Sequence, residues 1–361
     1  MTKNLNIDIR NFQSTRYRGS KRKLLPWIYN ALKDIEFNTV LDAFGGTGAV
    51  SYLFKSMGKK VTYNDYLKFN SIIGKSIIEN SNFKLSDIDI NNMLEKTKNK
   101  GSFISEYFSD VYFLNEENQW IDNIINDLDE IDLNSTEESE FKKSIALNAL
   151  FQSCLIKRPF NLFHRKNLYI RTNEVKRNFG NKTTWERDFE YYFKHFAHEI
   201  NNSIFNSDIY CHVENCDVLK IENTEYDLVY LDPPYVLKDL KNESANYLRY
   251  YHFLEGLSIY DNWCTNIDYN SKILNIHNSY LPNHFKVSTI HDTFEKLISK
   301  FNASKIVISY KYGGLPSIDF LIKLLEKHNK KVITYNMHYT YALNKQNGNA
   351  KLNREFLIIG I

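Results

Sequence analysis

The residues that invite chemistry are Asp232, Pro233, Pro234 and Tyr235, the tetrapeptide closing the apolar run YDLVYLD at 226–232. A buried strand needs no acid, two prolines and an aromatic in order to stop. The prolines fix φ and leave little positional freedom at the turn. The carboxylate, or a carbonyl beside it, can accept a hydrogen bond from an exocyclic amine and aim that nitrogen's lone pair at a methyl donor. Tyr235 offers a face on which a flat base stacks, worth about 1–3 kcal/mol in comparable base–aromatic contacts. A strand-terminating turn with an ordinary surface tyrosine is the bland alternative, and it leaves the ordering of the four residues unexplained.

A second constellation is LDAFGGTGAV at 41–50. A strand ends at Asp42, and Gly45, Gly46 and Gly48 let the backbone turn tightly before a helix whose first N–H groups are free. The turn lacks the G-x-G-x-x-G spacing and the lysine of a phosphate loop. Glycines in such turns also serve conformation alone. Asp65 ends the next strand about twenty residues on, where nucleoside-binding sheets place an acid for ribose hydroxyls. Two further strands end at Asp217 and Asp232. Ligands of open parallel sheets sit at the carboxyl ends of the strands, so Asp42, Asp65, Asp217 and Asp232 are expected to converge on one crevice. Four acids would repel ATP in the absence of metal, and none is called for. They suit a ligand joining an adenosine to positive charge, as S-adenosylmethionine does.

The elements that must position these residues alternate as βαβ units do. Strands are predicted at 39–44, 59–65, 209–217, 226–232 and 305–310, with helical patterns at 47–57, from Lys68 onward, at 288–301 and at 317–328. Two more strands, 330–343 and 354–361, flank NKQNGNAKLN with its Asn-Gly turn. Residues 81–207 break the rhythm over a length no ordinary connection has, and are read as an inserted, largely helical subdomain. The chain thus divides into 1–80 and 208–361, the two parts of a catalytic domain, with the insertion between them.

Hydrophobic residues make up 43% of the 361 and charged residues 25%, as in ordinary globular proteins. No apolar run suits a membrane span, and MTKNLNIDIR carries no signal-like apolar stretch. Cys154, Cys211, Cys216 and Cys264 form no C-x-x-C pair or zinc spacing. Reduced thiols in a cytoplasm account for them. Net charge is only +3, yet Lys157 to Arg187 holds nine Lys or Arg against Glu174 and Glu186, directly after an acidic stretch. Such a block is a phosphate-binding footprint or a solvated face.

DAFGGTG and DPPY, in this order around a long insertion, resemble the D12 class of DNA adenine-N6 methyltransferases, the Dam-like group. RYRGSKRKLLPWI at 16–28 resembles the group's N-terminal cofactor motif, and YYHFLEGL, ISYKYGG and EFLIIGI extend the likeness along nearly the whole chain. Arg18-Gly19-Ser20 departs from the Ala-Gly-Gly of the housekeeping member and points to a modification-type relative. The resemblance implies a Rossmann-like methyltransferase fold: a mostly parallel sheet with an antiparallel strand at its C-terminal end and a target-recognition insertion. It implies that Tyr17 and Lys21 hold the methionine end of S-adenosylmethionine, and that the Phe44-Gly45-Gly46 turn with Gly48 and Asp42 belongs to the cofactor site. Asp65 would meet the ribose, Asp217 the adenine edge, and Asp232 both cofactor and target amine.

The expected reaction is methyl transfer to N6 of an adenine flipped out of double-stranded DNA, with Asp232 and the Pro233 carbonyl holding the amine and Tyr235 stacking the base. Arg158, His164, Arg165, Lys166, Arg171, Lys176 and Arg177, interleaved with aromatics, are the expected DNA contacts. About half of the block's charges are expected to touch no DNA, since positioning contacts outnumber specific ones. The biological setting expected is protection of a host site against a restriction endonuclease that acts on the same sequence without direct contact. Cytosine N4, RNA or protein substrates, and a DNA-binding protein that has lost catalysis, are the alternatives left open.

Overall fold

The computed structural model describes residues 9–95, 102–131, 136–173, 181–237, 246–282, 284–339 and 354–361. Its centre is a seven-stranded sheet: β1 (Thr39–Asp42), β2 (Lys60–Asn64), β3 (His212–Glu214), β4 (Leu228–Leu231), β6 (Lys305–Lys311), β8 (Val332–His338) and β9 (Arg354–Gly360). The strand order is β3-β2-β1-β4-β6-β9-β8. The first five run parallel, and β9 runs antiparallel to both β6 and β8. A separate ribbon pairs β5 (Val236–Leu237), which leaves the DPPY turn directly, with β7 (Gly314–Leu315).

Strand composition dictates this layering. Side chains alternate faces along a strand, so Val40, Leu228, Tyr230, Val307, Leu357 and Ile359 join one apolar cluster while Leu41, Val229, Leu231, Ile306, Ile308 and Ile358 join another. A strand apolar on both faces must be covered twice. Helices Ile290–Lys300 and Ile318–Lys327 cover one side. Helices Leu25–Leu32, Ala49–Ser56, Glu137–Lys157 and Phe189–Ser203 contribute to the other cluster. The two last come from the segment expected as an insertion. Residues such as Ile145, Leu150 and Phe193 therefore share one continuous apolar interior with the sheet. None of the described helices is long and apolar enough to cross a membrane. The Asn-Gly turn expected between β8 and β9 lies outside the described residues.

In the sheet, β1 and β4 are the neighbours at which strand order reverses, and a crevice opens there beyond the strand ends.

Candidate active site

The sequence from β1 into the helix Ala49–Ser56 builds the floor of that crevice. Gly46 and Gly48 hold φ of 51° and 75°, a region costly for any residue with a Cβ. Gly45 is required for a different reason: a Cβ there would lie 2.0 Å from the Tyr63 ring. The acid of β2 then pins the turn. Asp65 accepts the Gly46 N–H on Oδ2 and the Leu67 N–H on Oδ1, each at 2.9 Å. Asp42, buried at the end of β1, accepts from Ser51 Oγ at 2.6 Å. Burial pushes the Asp42 carboxyl up to about 7 and that of Asp65 up to about 6. Both carboxyls take up protons more readily than free ones do, and a bound cation would reverse that.

The DPPY turn supplies the opposite wall. Lys21, buried on the N-terminal motif, donates to Asp232 Oδ1 and to the Tyr235 hydroxyl, both at 2.7 Å, and stands 3.3 Å from Glu355 Oε1. The Tyr235 hydroxyl donates to Glu355 Oε1 at 2.6 Å and lies 3.1 Å from Asp232 Oδ1. Ser309 Oγ completes the set at 2.9 Å from Glu355. One ammonium between two carboxylates leaves a net negative charge, which a cationic ligand would balance. Burial raises Asp232 to about 6, with Lys21 opposing and Glu355 adding to the rise. Asp232 Oδ1 is thereby held by Lys21, while Oδ2 carries no hydrogen bond to the described residues.

Tyr17 closes one end of the crevice. Its ring stacks on Tyr251 (4.6 Å between centroids, 8° between planes) and on Tyr247 (5.5 Å, 16°), and its hydroxyl accepts from Asn70. Gly19 holds φ of 85°, and a Cβ on it would lie 2.8 Å from the Tyr247 hydroxyl. The motif's glycine is fixed by that contact. Phe285 covers the far end, edge-on to Phe44 at 5.3 Å. The cavity measures about 500 Å³, within the roughly 300–1,000 Å³ usual for small-molecule sites. Tyr17, Lys21, Asp42, Phe44, Gly45, Gly46, Asp65, Asp232, Pro233 and Tyr235 all line it. An elongated nucleoside with a positive charge fits this donor set.

Two expected cofactor contacts stand elsewhere. Gly48 is not on the cavity wall and acts as the left-handed N-cap of its helix. Asp217 is also off the wall; it accepts the Leu219 N–H on Oδ1 and pairs through Oδ2 with His284 Nε2 at 2.8 Å. It follows the short edge strand β3, and its partner His284 directly precedes Phe285 and Lys286, which line the cavity.

The basic run divides more sharply. Arg158 is buried, and its guanidinium donates to the carbonyls of Tyr112, Leu162, Arg165 and Lys166 at 2.6–3.2 Å. Its donors face inward, which corrects the expectation of a DNA contact: it shapes the loop carrying its neighbours. Arg171 is corrected likewise, forming a two-pronged pair with Glu117 at 2.9 and 2.6 Å, where Lys157 joins at 2.8 Å. Arg165 and Lys166 are exposed, and His164 is half-buried. Lys176 and Arg177 lie outside the described residues. Sequence reasoning assigned no role to Glu355, whose only signal is an acid opening an otherwise apolar strand, nor to Tyr247, Tyr251 and Arg249 on the helix after DPPY.

With this geometry established, likeness to other proteins gains meaning. The chain is 25% identical over 340 residues to the type II methyltransferase M2.HphI of Haemophilus parahaemolyticus, across 92% of this chain and 93% of that one. Over 353 residues it is 21% identical to the type II methyltransferase M.NlaIII of Neisseria lactamica, across 94% and 96%. It matches the modification methylase LlaI of Lactococcus lactis subsp. lactis at 25% over 336 residues, 86% of this chain, and spans about half of that relative's length (48%). Residues 17–262, from the N-terminal motif past DPPY, match the family described as D12 class N6 adenine-specific DNA methyltransferase. The chain belongs to that family and is a site-specific adenine methyltransferase acting on double-stranded DNA.

Proposed function

We propose that the chain uses S-adenosylmethionine as methyl donor, and that Asp232, Pro233 and Tyr235 carry the transfer. The observation that carries this reading is the Asp232 carboxylate, fixed through Oδ1 by Lys21 and open at Oδ2, on a cavity whose floor is the glycine turn. S-adenosylmethionine supplies an electrophilic methyl on a cationic sulfur. Asp42, Asp65 and Asp232 favour that charge, Asp65 stands nearest the glycine turn for ribose hydroxyls, and Tyr17 and Lys21 flank the methionine end. Asp217 takes an adenine edge only once His284 has moved off it.

Asp232 Oδ2 and the Pro233 carbonyl accept the two N6 hydrogens of the flipped adenine, which turns the nitrogen lone pair toward the methyl carbon. A bond forms from N6 to that carbon as the bond from carbon to sulfur breaks. The proton then shed by N6 passes to Asp232 and on to water. Tyr235 stacks the base while its hydroxyl stays tied to Glu355. Within residues 81–207, the target-recognition segment, His164, Arg165, Lys166, Lys176 and Arg177 contact DNA. The role we assign is protection of host DNA in the cytoplasm, against a nuclease that cuts the same site without touching this protein; the relatives' names, type II methyltransferase and modification methylase, support its modification part.

The test is to incubate the protein with radiolabelled S-adenosylmethionine and mixed-sequence duplex DNA, and then digest the DNA to nucleosides. Label is expected in N6-methyldeoxyadenosine. Label in N4-methyldeoxycytidine, or none in DNA, overturns the reading.

A further inference from the structure

A second cavity, about 490 Å³, opens beside the first and shares Asn246, Arg249 and Asn278 with it. Three separate pieces of chain bring cations to its wall: Arg165 and Lys166 on the loop shaped by Arg158, Arg249 on the helix Tyr247–Ser258, and Lys272. Lys272 projects from a hairpin-like loop closed by the Ile267–Ile276 bridge and by the His277 N–H on the Asn266 carbonyl. Among the described residues, no Asp or Glu lines this cavity. Arg165, Lys166, Arg249 and Lys272 are all exposed. The positive field is felt by His164 on the same wall. Burial first, then Arg165, Arg249, Arg158 and Arg18, lower its imidazole to about 4.

We propose that this cleft grips the phosphodiesters next to the extruded adenine. Arg249, with Asn246 and Asn278, holds the phosphate at the seam of the two cavities, and Lys166, Arg165 and Lys272 hold those beyond it. The inference rests on the base-flipping reading above. A nucleotide whose base enters the first cavity must lead its sugar–phosphate past the shared seam, and anionic oxygens passing four cations are stabilised there. Arg249 and Lys272 lie outside the segment from which target recognition is expected, so part of the backbone grip falls outside that segment.

Salt dependence of DNA binding reads this directly, because each lost phosphate contact lowers the slope of log affinity against log salt by about one. Arg249→Ala and Lys272→Ala should each flatten the slope by about one and the double variant by about two. Lys323→Ala, outside the cleft, should leave it unchanged. On a duplex carrying a mapped methylation site, neutral methylphosphonates flanking the target adenine should weaken the wild type and affect the double variant far less. Unchanged slopes in a methylating protein, an equal flattening by Lys323→Ala, or an equal methylphosphonate loss in both proteins each overturns the cleft assignment alone. A wild type that methylates no adenine overturns the functional reading, and the cleft with it. Lys272 is an exposed loop residue, so its single variant keeps the test valid should Arg249→Ala fold poorly.

Discussion

The acidic crevice and the basic run at 157–187 use charge in opposite ways. In the crevice, carboxylates are held in low-dielectric surroundings, short of compensating partners, with their affinities for protons raised. In the basic run, the buried cations have partners within the fold: Arg158 on four carbonyls, Arg171 and Lys157 on Glu117. Only the exposed remainder is available to a polyanion. A buried charge without enough partners marks a place where a ligand is to arrive, whereas a buried charge with all its partners marks architecture.

That contrast can be broken most decisively at Asp232. Asp232→Ala should reduce single-turnover methylation by about 10²–10⁴-fold, with DNA affinity retained; near-native turnover would remove Asp232 from the chemistry. Arg171→Ala should act on the fold instead. It strips Glu117 of its two-pronged partner, and loss of one member of a buried pair costs about 3–5 kcal/mol. Chemical denaturation should show that loss, and the salt slope of DNA binding should not move.

Glu355→Gln comes next. Removing one carboxylate from around Lys21 should lower kcat by roughly 10–100-fold, the worth of a buried charge-assisted hydrogen bond, while KM for DNA stays put. A change in KM alone would assign Glu355 to binding. The smallest effect is expected from Asp42→Asn in the ligand-free protein. Because the folded carboxyl titrates near 7 rather than 3.8, the folded state binds more protons than the unfolded one between these values. Its contribution to stability is therefore greatest below about 3.8, declines as pH rises to about 7, and is flat above. The variant should lose that decline and melt a few degrees higher at pH 8, at the expense of cofactor affinity. A steeper pH dependence would reverse the assignment.

The crevice was legible in the sequence because strand ends fix where side chains emerge. Asp42 ends β1, and Asp65 and Asp232 directly follow β2 and β4, so all three emerge at the carboxyl ends of buried strands. Asp217 obeyed the same sequence rule, but its pairing with His284, from a segment late in the chain, was invisible in the spacing. Glu355 was hidden because register, not spacing, brings it to the site: β9 pairs with β6 so that Glu355 lies opposite Lys311, within reach of Ser309. The basic run misled where a charge count carries no inside or outside. The acidic stretch just before it, which includes Glu117, was the available sign that some of those cations would find partners within the fold.

The placement of β9 also has a consequence for how the protein is made. Lys21 and Asp232 leave the ribosome well before Glu355, and among the described strands β8 pairs only with β9, so it must wait for a partner synthesised after it. Contacts this distant in sequence form late. Until β9 slides between β6 and β8, the ammonium and carboxylate that hold the DPPY turn lack their third member. A nascent chain therefore has its methyl-transfer centre unassembled, and competence to mark DNA arrives with the ninth strand.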